Sequence, residues 1–409
     1  MTADKEAGLR KIEWARKHMP VMAHVERQLK DSGVLTGIKI GMALHVEAKT
    51  AVLALSLKNA GADVRLAGCN PLSTDDDVVA ALNDIFNLPT FARKGESNEE
   101  YYANLRAVLA HNPDYVIDDG GDLISLIHTE YPELLRGLRG ANEETTTGIV
   151  RLRAMAAAGA LKIPVMDVND AMMKHLFDNR YGTGQSTFDG IFSATNLLIA
   201  GKNFVIGGYG WCGRGIAMRA RGLGASVIVT EVDPIKAVEA LHDGFRVMPM
   251  AEAVKEANFI VTATGVKNIV RKEHFETMKD GCVLANSGHF DNEIDVASLR
   301  SIADSKRVRG MVEEFTMPDG KTIYLLAEGR LVNLAAGQGH PVEIMDMSFA
   351  IQALSVEYLL THRLDPGVHR VPAEMDERVA RIRLESSGVR IDSLTQEQIE
   401  YINSWSEGT

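Results

Sequence analysis

The 409-residue chain carries 44 Lys and Arg against 55 Asp and Glu, a formal net charge of −11, with 45% hydrophobic and 24% charged residues. That acidic balance excludes loose, charge-driven binding to nucleic acid, which needs a basic surface over the phosphates. No apolar run reaches the roughly 18–20 residues that cross a bilayer. Three scattered cysteines (Cys69, Cys212 and Cys282) offer neither CxxC spacing nor a disulfide framework. The expectation is a cytoplasmic enzyme of two or three domains, with reduced thiols and no bound metal.

The opening MTADKEAGLRKIEWARKHMP is a charged helical segment and not a secretory signal. IKIGMAL (38–44) is a short apolar run; EAKTAVLALSLKNAG follows with helical periodicity and a glycine stop, then DVRLAG. YVIDDGGD (115–122) and KIPVMDVND (162–170) again end apolar runs in polar residues. Strands that finish in polar loops, with helices between, predict a parallel sheet with ligands at the carboxyl ends of its strands. FDNRYGTGQSTFDGI (177–191), rich in glycine and polar residues, reads as a hinge. A second series follows: KNFVIGGYG, SVIVTEVD, NFIVTATG and CVLANSG, at the spacing of a Rossmann sheet. GQGHPVEIM (337–345) reads as a return crossing, with SFAIQALSVEYLL an amphipathic helix after it. The fold class is therefore α/β: two doubly wound parallel-sheet domains joined by a hinge. The first takes 1–182 and 342–384, the inserted cofactor domain takes 183–341, and 385–409 forms a short C-terminal oligomerisation arm.

GGYGWCGRG places Gly208, Gly210 and Gly213 in a GxGxxG directly after an apolar strand. Such glycines let a pyrophosphate approach the backbone at a helix N-terminus. Glu231 ends the next strand about 20 residues on, where a carboxylate accepts from a ribose diol and disfavours a 2′-phosphate. The cofactor implied is NAD. The first half, however, carries more polar clusters than hydride transfer needs: ALHVEAKTAV, DDGGDLISLIHTEYP, RGANEETTTG and VNDAMMKHLFDNRYG, joined later by NSGHFDNEID and LLAEGRLVNLAAGQGHP.

In order, from about residue 10 to residue 384, these motifs resemble those of the S-adenosylhomocysteine hydrolase family. The resemblance implies a hydrolase that keeps NAD bound and uses it transiently. The nucleoside 3′-hydroxyl is oxidised, the acidified 4′ proton is removed, homocysteine leaves from C5′, water adds, and the ketone is reduced again. It also implies roles by motif. Asp119 would be the 4′-proton base or its electrostatic partner. Glu144, with Thr145, would take the ribose hydroxyls. Lys174 and Asp178 would handle the 3′-hydroxyl proton, with a lysine pKa lowered by burial. Asn179 and Asn333 would orient the nicotinamide end, Thr264 would line the cofactor cleft, and Thr146 and Thr147 would also contact the cofactor. His45 and His289 would activate water and protonate the leaving group, and His340 with Phe290 would gate the site. A homotetramer acting on a small nucleosyl-homocysteine is implied, without nucleic acid or membrane. Asp118 and Asp122 read as loop or cap residues.

Three departures from the family pattern stand out. Thr183 replaces a frequent cysteine, and the chain stops at YINSWSEGT where many relatives continue into a Lys- and Tyr-containing tail, as in the shorter archaeal and thermophilic-bacterial branch. The third is His45-Val46-Glu47-Ala48-Lys49, where most relatives end the motif in Glu or Gln. Charged lysine has three donors and no acceptor. It suits the 6-carbonyl of hypoxanthine, with Glu47 accepting from N1–H, and so an S-inosyl substrate. The competing reading pairs Lys49 with Glu47 or solvent and leaves adenine to backbone groups near His340. A dehydrogenase with net oxidation and a non-catalytic nucleotide-binding regulator are the alternatives from other classes.

Overall fold

The computed structural model describes residues 3–405, so the end of the predicted arm, 406–409, lies outside the described residues. Two sheets organise the chain. The first contains β1 (Lys39–Ala43), β2 (Asp63–Ala67), β3 (Thr90–Phe91), β4 (Tyr115–Asp118), β5 (Gly140–Glu143) and β6 (Pro164–Asp167). The second contains β7 (Asn203–Gly207), β8 (Ser226–Thr230), β9 (Arg246–Val247), β10 (Phe259–Thr262), β11 (Cys282–Asn286), β12 (Asp304–Arg309), β13 (Val312–Thr316) and β14 (Thr322–Leu326). A last strand, β15 (Gly367–Arg370), returns to the first sheet beside β6.

The first sheet runs β15-β6-β5-β4-β1-β2-β3, all parallel. β4 and β5 are buried along their whole length, as expected of strands covered by helices on both faces. The order reverses around β1 and β4, which makes their carboxyl ends a topological switch point. The second sheet runs β12-β13-β14-β11-β10-β7-β8-β9. Its β12–β13–β14 edge is antiparallel, a departure from the purely parallel expectation. β12 is exposed at every position and so lacks the apolar run by which a buried strand is recognised.

Residues 177–191, read as a hinge, are not an irregular loop: a π-helical turn, Asp178–Gly182, runs into the helix Thr183–Thr195. Its glycines serve close packing. A Cβ on Gly184 would stand 2.8 Å from the Gly215 carbonyl oxygen, and one on Gly190 2.3 Å from that of Val332. The helix Val342–Thr361 is not amphipathic either. It is buried without interruption from Met345 to Val356, because it packs against the helix Pro20–Ser32 on one side and β5 on another. Asp346, inside that run, accepts from the Val21 and Met22 amides at 3.0 and 2.7 Å and so caps a helix whose own preceding residue, Met19, has no capping oxygen.

Candidate active site

The carboxyl ends of both sheets open on one cleft of about 1630 Å³. Its walls include His45, Glu47, Asp119, Glu144, Thr145, Thr146, Thr147, Lys174, Asp178 and Asn179 from the first sheet's loops. Gly208, Gly210, Glu231, Thr264, His289, Asn333 and His340 come from the other side. Three expected residues are not on that wall. Gly213 lies beneath the loop, where a Cβ would meet the Gly208 oxygen at 1.9 Å. Phe290 is 36% exposed, and its ring packs edge-on against His289 at 4.9 Å. Lys49 is buried behind Glu47, with Nζ 3.0 Å from Glu47 Oε2 and donating to the Gln338 carbonyl oxygen at 2.8 Å. Solvent is therefore not its destination.

The histidines converge on Asp119. His45 Nε2 is 3.4 Å from Oδ2 and His289 Nδ1 3.6 Å from Oδ1. Burial pulls the His45 pKa down to about 4, against the pull of Asp119, so the ring is neutral near pH 7. The loop itself is wired from below. Asp118 accepts from the Asp119 and Ile124 amides, and Glu143 Oε1 accepts from the Gly120 and Thr145 amides at 2.8 and 2.9 Å. Glu143 thus ties the loop carrying Asp119 to the loop carrying Glu144. Burial raises its pKa well above the ordinary range and pushes that of Asp118 up to about 7.

The second cluster surrounds Lys174, whose Nζ lies 3.4 Å from Asp178 and 3.5 Å from Glu144 and donates to Asn179 Oδ1 at 2.9 Å. The expected lowering of its pKa is overturned. Burial does act in that direction, but Asp178, Glu144 and Asp119 outweigh it and the pKa is raised. Asp178 is moved the other way: burial would raise its pKa, yet Lys174 and His340, whose Nδ1 is 3.2 Å away, hold it well below the usual range. Glu144 is pushed up to about 7 by burial, against the Lys174 charge. Ser348 and Gln352 donate to its two oxygens from the helix Val342–Thr361.

The cleft's other half fits a dinucleotide. Gly208 sits at φ +95°, and a Cβ on Gly210 would meet only open space, so the backbone faces the cleft bare at the start of the helix Trp211–Gly222. Glu231 Oε2 accepts from the Tyr209 amide at 2.7 Å, which joins the acid after β8 to the glycine loop. Asn333 Oδ1 and Thr147 Oγ1 are buried on the wall without a protein partner among the described residues. A carboxamide would supply the missing donor. Thr264 is fixed by Glu293, whose carboxylate takes the Thr264 amide, its hydroxyl and the Gly265 amide at 2.9, 2.8 and 2.7 Å.

Comparison with known proteins agrees. Residues 2–132 match the family described as S-adenosyl-L-homocysteine hydrolase, and residues 179–339 match its NAD binding domain. An S-inosyl-L-homocysteine hydrolase from Methanopyrus kandleri is 57% identical over 97% of this chain and 95% of its own length. An adenosylhomocysteinase from Thermoplasma volcanium is 56% identical over 98% and 99%. The chain belongs to the S-adenosyl-L-homocysteine hydrolase family. It is an enzyme of that family, a hydrolase that binds NAD. Relatives at this level of identity carry both names, so overall similarity does not choose the base. Among solved structures, a dipicolinate synthase polypeptide from Bacillus halodurans has a TM-score of 0.51 at 12% identity, covering 80% of this chain and 100% of that one, which is a likeness of fold. No helix among the described residues is long and apolar enough to cross a membrane.

Residues that the sequence left unassigned now have places. Glu143, Glu293 and Asn169, whose Oδ1 accepts from Asn179 Nδ2 at 3.1 Å and Lys174 Nζ at 3.4 Å, stand inside motifs already singled out, a few positions from the residues chosen. Ser348 and Gln352 lie four apart in an apolar helical run, a spacing that puts both on one face and could have marked them as inward-pointing.

Proposed function

We propose that this chain catalyses the reversible hydrolysis of an S-nucleosyl-L-homocysteine to nucleoside and homocysteine, with S-inosyl-L-homocysteine preferred. The observation that carries the base assignment is the Glu47–Lys49 pair at the carboxyl end of β1. Glu47 stands on the cleft wall, and Lys49 Nζ stands 3.0 Å behind its Oε2. Two of the three ammonium protons are taken by Glu47 and the Gln338 carbonyl. In the proposed complex the third turns from behind Glu47 to the 6-carbonyl of hypoxanthine, while the carboxylate accepts from N1–H. Adenine offers an amine and an unprotonated N1 to the same pair, which leaves a donor facing a donor. That mismatch costs about 1–3 kcal/mol, roughly tenfold to a hundredfold in discrimination.

Bound NAD supplies a reversible hydride acceptor for the ribose 3′ carbon. The chain supplies the proton handling. Glu144 holds the ribose hydroxyls. Asp178, kept ionised by Lys174 and His340, takes the 3′-hydroxyl proton within the Lys174 cluster. Asp119 receives the 4′ proton that the ketone has acidified, and the two flanking histidines orient water and the departing thiolate. The substrate portion corresponds to 1–182 and 342–384, and the cofactor portion to 183–341.

One observation favours adenosine instead: Lys49 is off the cleft wall, so Glu47 alone would face the base and accept from the exocyclic amine. Parallel assays of homocysteine release from S-inosyl- and S-adenosyl-homocysteine with NAD-loaded enzyme decide between them. A preference of roughly tenfold or more in kcat/KM for the inosyl substrate is expected. A preference for the adenosyl substrate overturns the base assignment and leaves the hydrolase reading standing.

A further inference from the structure

Behind Glu144, off the cleft wall, Gln352, Asn142 and Tyr115 form a buried polar line that the proposed chemistry has not used. Alternation along and just past β5 sends Asn142 and Glu144 to one face, where Gln352 and Ser348 of the helix Val342–Thr361 meet them. Gln352 Nε2 donates to Glu144 Oε2, and Gln352 Oε1 accepts from Asn142 Nδ2 at 2.8 Å. Asn142 Nδ2 also donates to the Gln352 main-chain carbonyl at 2.9 Å, and Asn142 Oδ1 accepts from the Tyr115 hydroxyl at 2.5 Å. The direction of this line is set by that carbonyl, which can only accept. Asn142 must turn its nitrogen to it and its oxygen to Tyr115. Gln352 must then answer the same nitrogen with its oxygen, and so presents its own nitrogen to Glu144. Burial holds the Tyr115 pKa well above its ordinary value, so the far end stays a donor. All three side chains have no exposed surface, and solvent cannot reverse any of them.

We propose that Gln352 is a positioning residue for Glu144, holding Oε2 as a permanent acceptor so that Oε1 alone gains and loses the proton. The inference rests on the reading of Glu144 as the group that holds the ribose hydroxyls, and Gln352 itself is off the cleft wall. Among the described residues, the hydrogen-bond partner of Oε2 is a donor whether or not the carboxyl is ionised, so a proton there would find no acceptor. Oε1 is placed differently, with the Ser348 hydroxyl at 2.9 Å and Lys174 Nζ at 3.5 Å. A hydroxyl donates to a carboxylate and accepts from a carboxyl. In the second state its own hydrogen turns to a carbonyl of the preceding helical turn, the usual partner of a helical serine. No proton passes along the line, and every bond in it keeps its donor and acceptor. One bond, Oε1–H, forms or breaks, and its proton exchanges through the cleft. Lys174, Asp178 and Asp119 are the charges that face Glu144 and set how readily it ionises; Gln352 sets which oxygen carries the change.

The first test uses NAD-loaded wild-type enzyme without substrate, with nitrogen-15 in glutamine and carbon-13 in glutamate. The Gln352 side-chain proton, identified by its proximity to Asn142, is expected to stay downfield at both about pH 5 and about pH 9, while the Glu144 carboxyl carbon titrates between them. A proton that relaxes to the position of a free glutamine when Glu144 is protonated means that the amide turns, and overturns the proposal. Gln352→Met then removes the donor and keeps the length. A carboxylate that loses a donor is harder to ionise, so the Glu144 titration is expected to move up by about one pH unit, a tenfold change in proton binding. The pH below which KM rises should move with it. On the acid side of that titration kcat/KM should fall roughly tenfold, with NAD content unchanged. An unmoved Glu144 titration in folded Gln352→Met enzyme overturns the proposal. Glu144→Gln separates the two ideas. If KM is unmoved in that variant, Glu144 does not hold the ribose, whereas the Gln352 resonance of the wild type is read without substrate.

Discussion

Replacing Lys174 with methionine keeps the side-chain length, removes the charge, and exposes the energetics of the site. The ammonium is 4% exposed, 3.4 Å from Asp178 and 3.5 Å from Glu144, so solvent screening is slight. Breaking a buried pair on one side costs about 3–5 kcal/mol, and about 1.4 kcal/mol is a tenfold change in the folding equilibrium. The loss should depend on pH. Glu144 already has a folded pKa of about 7 against an ordinary 4.5, through burial opposed by Lys174, and removing the lysine raises it further. For an acid raised on folding, stability is fully present below the unfolded pKa and is lost as pH rises through the folded one. Urea denaturation should therefore give a deficit that is largest at about pH 8. It should shrink by at least about 1.4 kcal/mol at about pH 5, the worth of one pKa unit. Turnover should fall by at least roughly a hundredfold. A deficit that is flat with pH would refute the electrostatic account. Unchanged turnover in NAD-loaded enzyme would remove Lys174 from the mechanism.

Gly213→Ala forces a methyl to 1.9 Å from the Gly208 oxygen, so the purified variant should carry much less NAD, measured by release on denaturation; full occupancy would mean that the loop shifts freely. Lys49→Gln should move the inosyl-to-adenosyl ratio of kcat/KM toward adenosine by roughly tenfold, and an unmoved ratio would leave Lys49 a purely structural ion. Asp346→Ala strands the amides of Val21 and Met22. It should lower the urea midpoint by the equivalent of about 1–3 kcal/mol without changing the slope.

The strands that define both sheets are legible because parallel strands covered on both faces are nearly continuous apolar runs. IKIGMAL, YVIDD and NFIVTATG are such runs, and at or just past their ends stand the polar residues His45, Asp119 and Thr264 on the cleft wall. Asp304–Arg309 was not legible as a strand because it is an exposed edge whose residues bury nothing. Glycine proved ambiguous in a different way. Local composition cannot distinguish a glycine that bends a hinge from one that lets two helices touch, and Gly184 and Gly190 are of the second kind. In the site, residues that directly follow strands could be read from their motifs. Partners arriving from distant sequence could not: Ser348 and Gln352 meet Glu144 across more than 200 positions, and Asp346 meets Val21 across 325. The direction of the Lys174 shift was missed for the same reason, since it depends on how many carboxylates surround the ammonium.

That count has a consequence for the chemistry. Asp118, Asp119, Glu143, Glu144 and Asp178 are all buried, yet Lys174 sits close to only two of them, Asp178 and Glu144, and also feels the charge of Asp119. Five ionised carboxylates cannot share so small an apolar volume at tolerable cost. The structure resolves this by division. Asp178 is held well below the usual carboxylate range by Lys174 and His340, burial raises Glu143 well above it, and Asp118 and Glu144 are brought to about 7. A reaction that removes a proton from the 3′ oxygen and another from C4′, then restores both, needs groups that neither bind protons permanently nor refuse them. Carboxylic acids whose burial brings them to the working pH meet that requirement, and their number lets one proton be stored while another is moved.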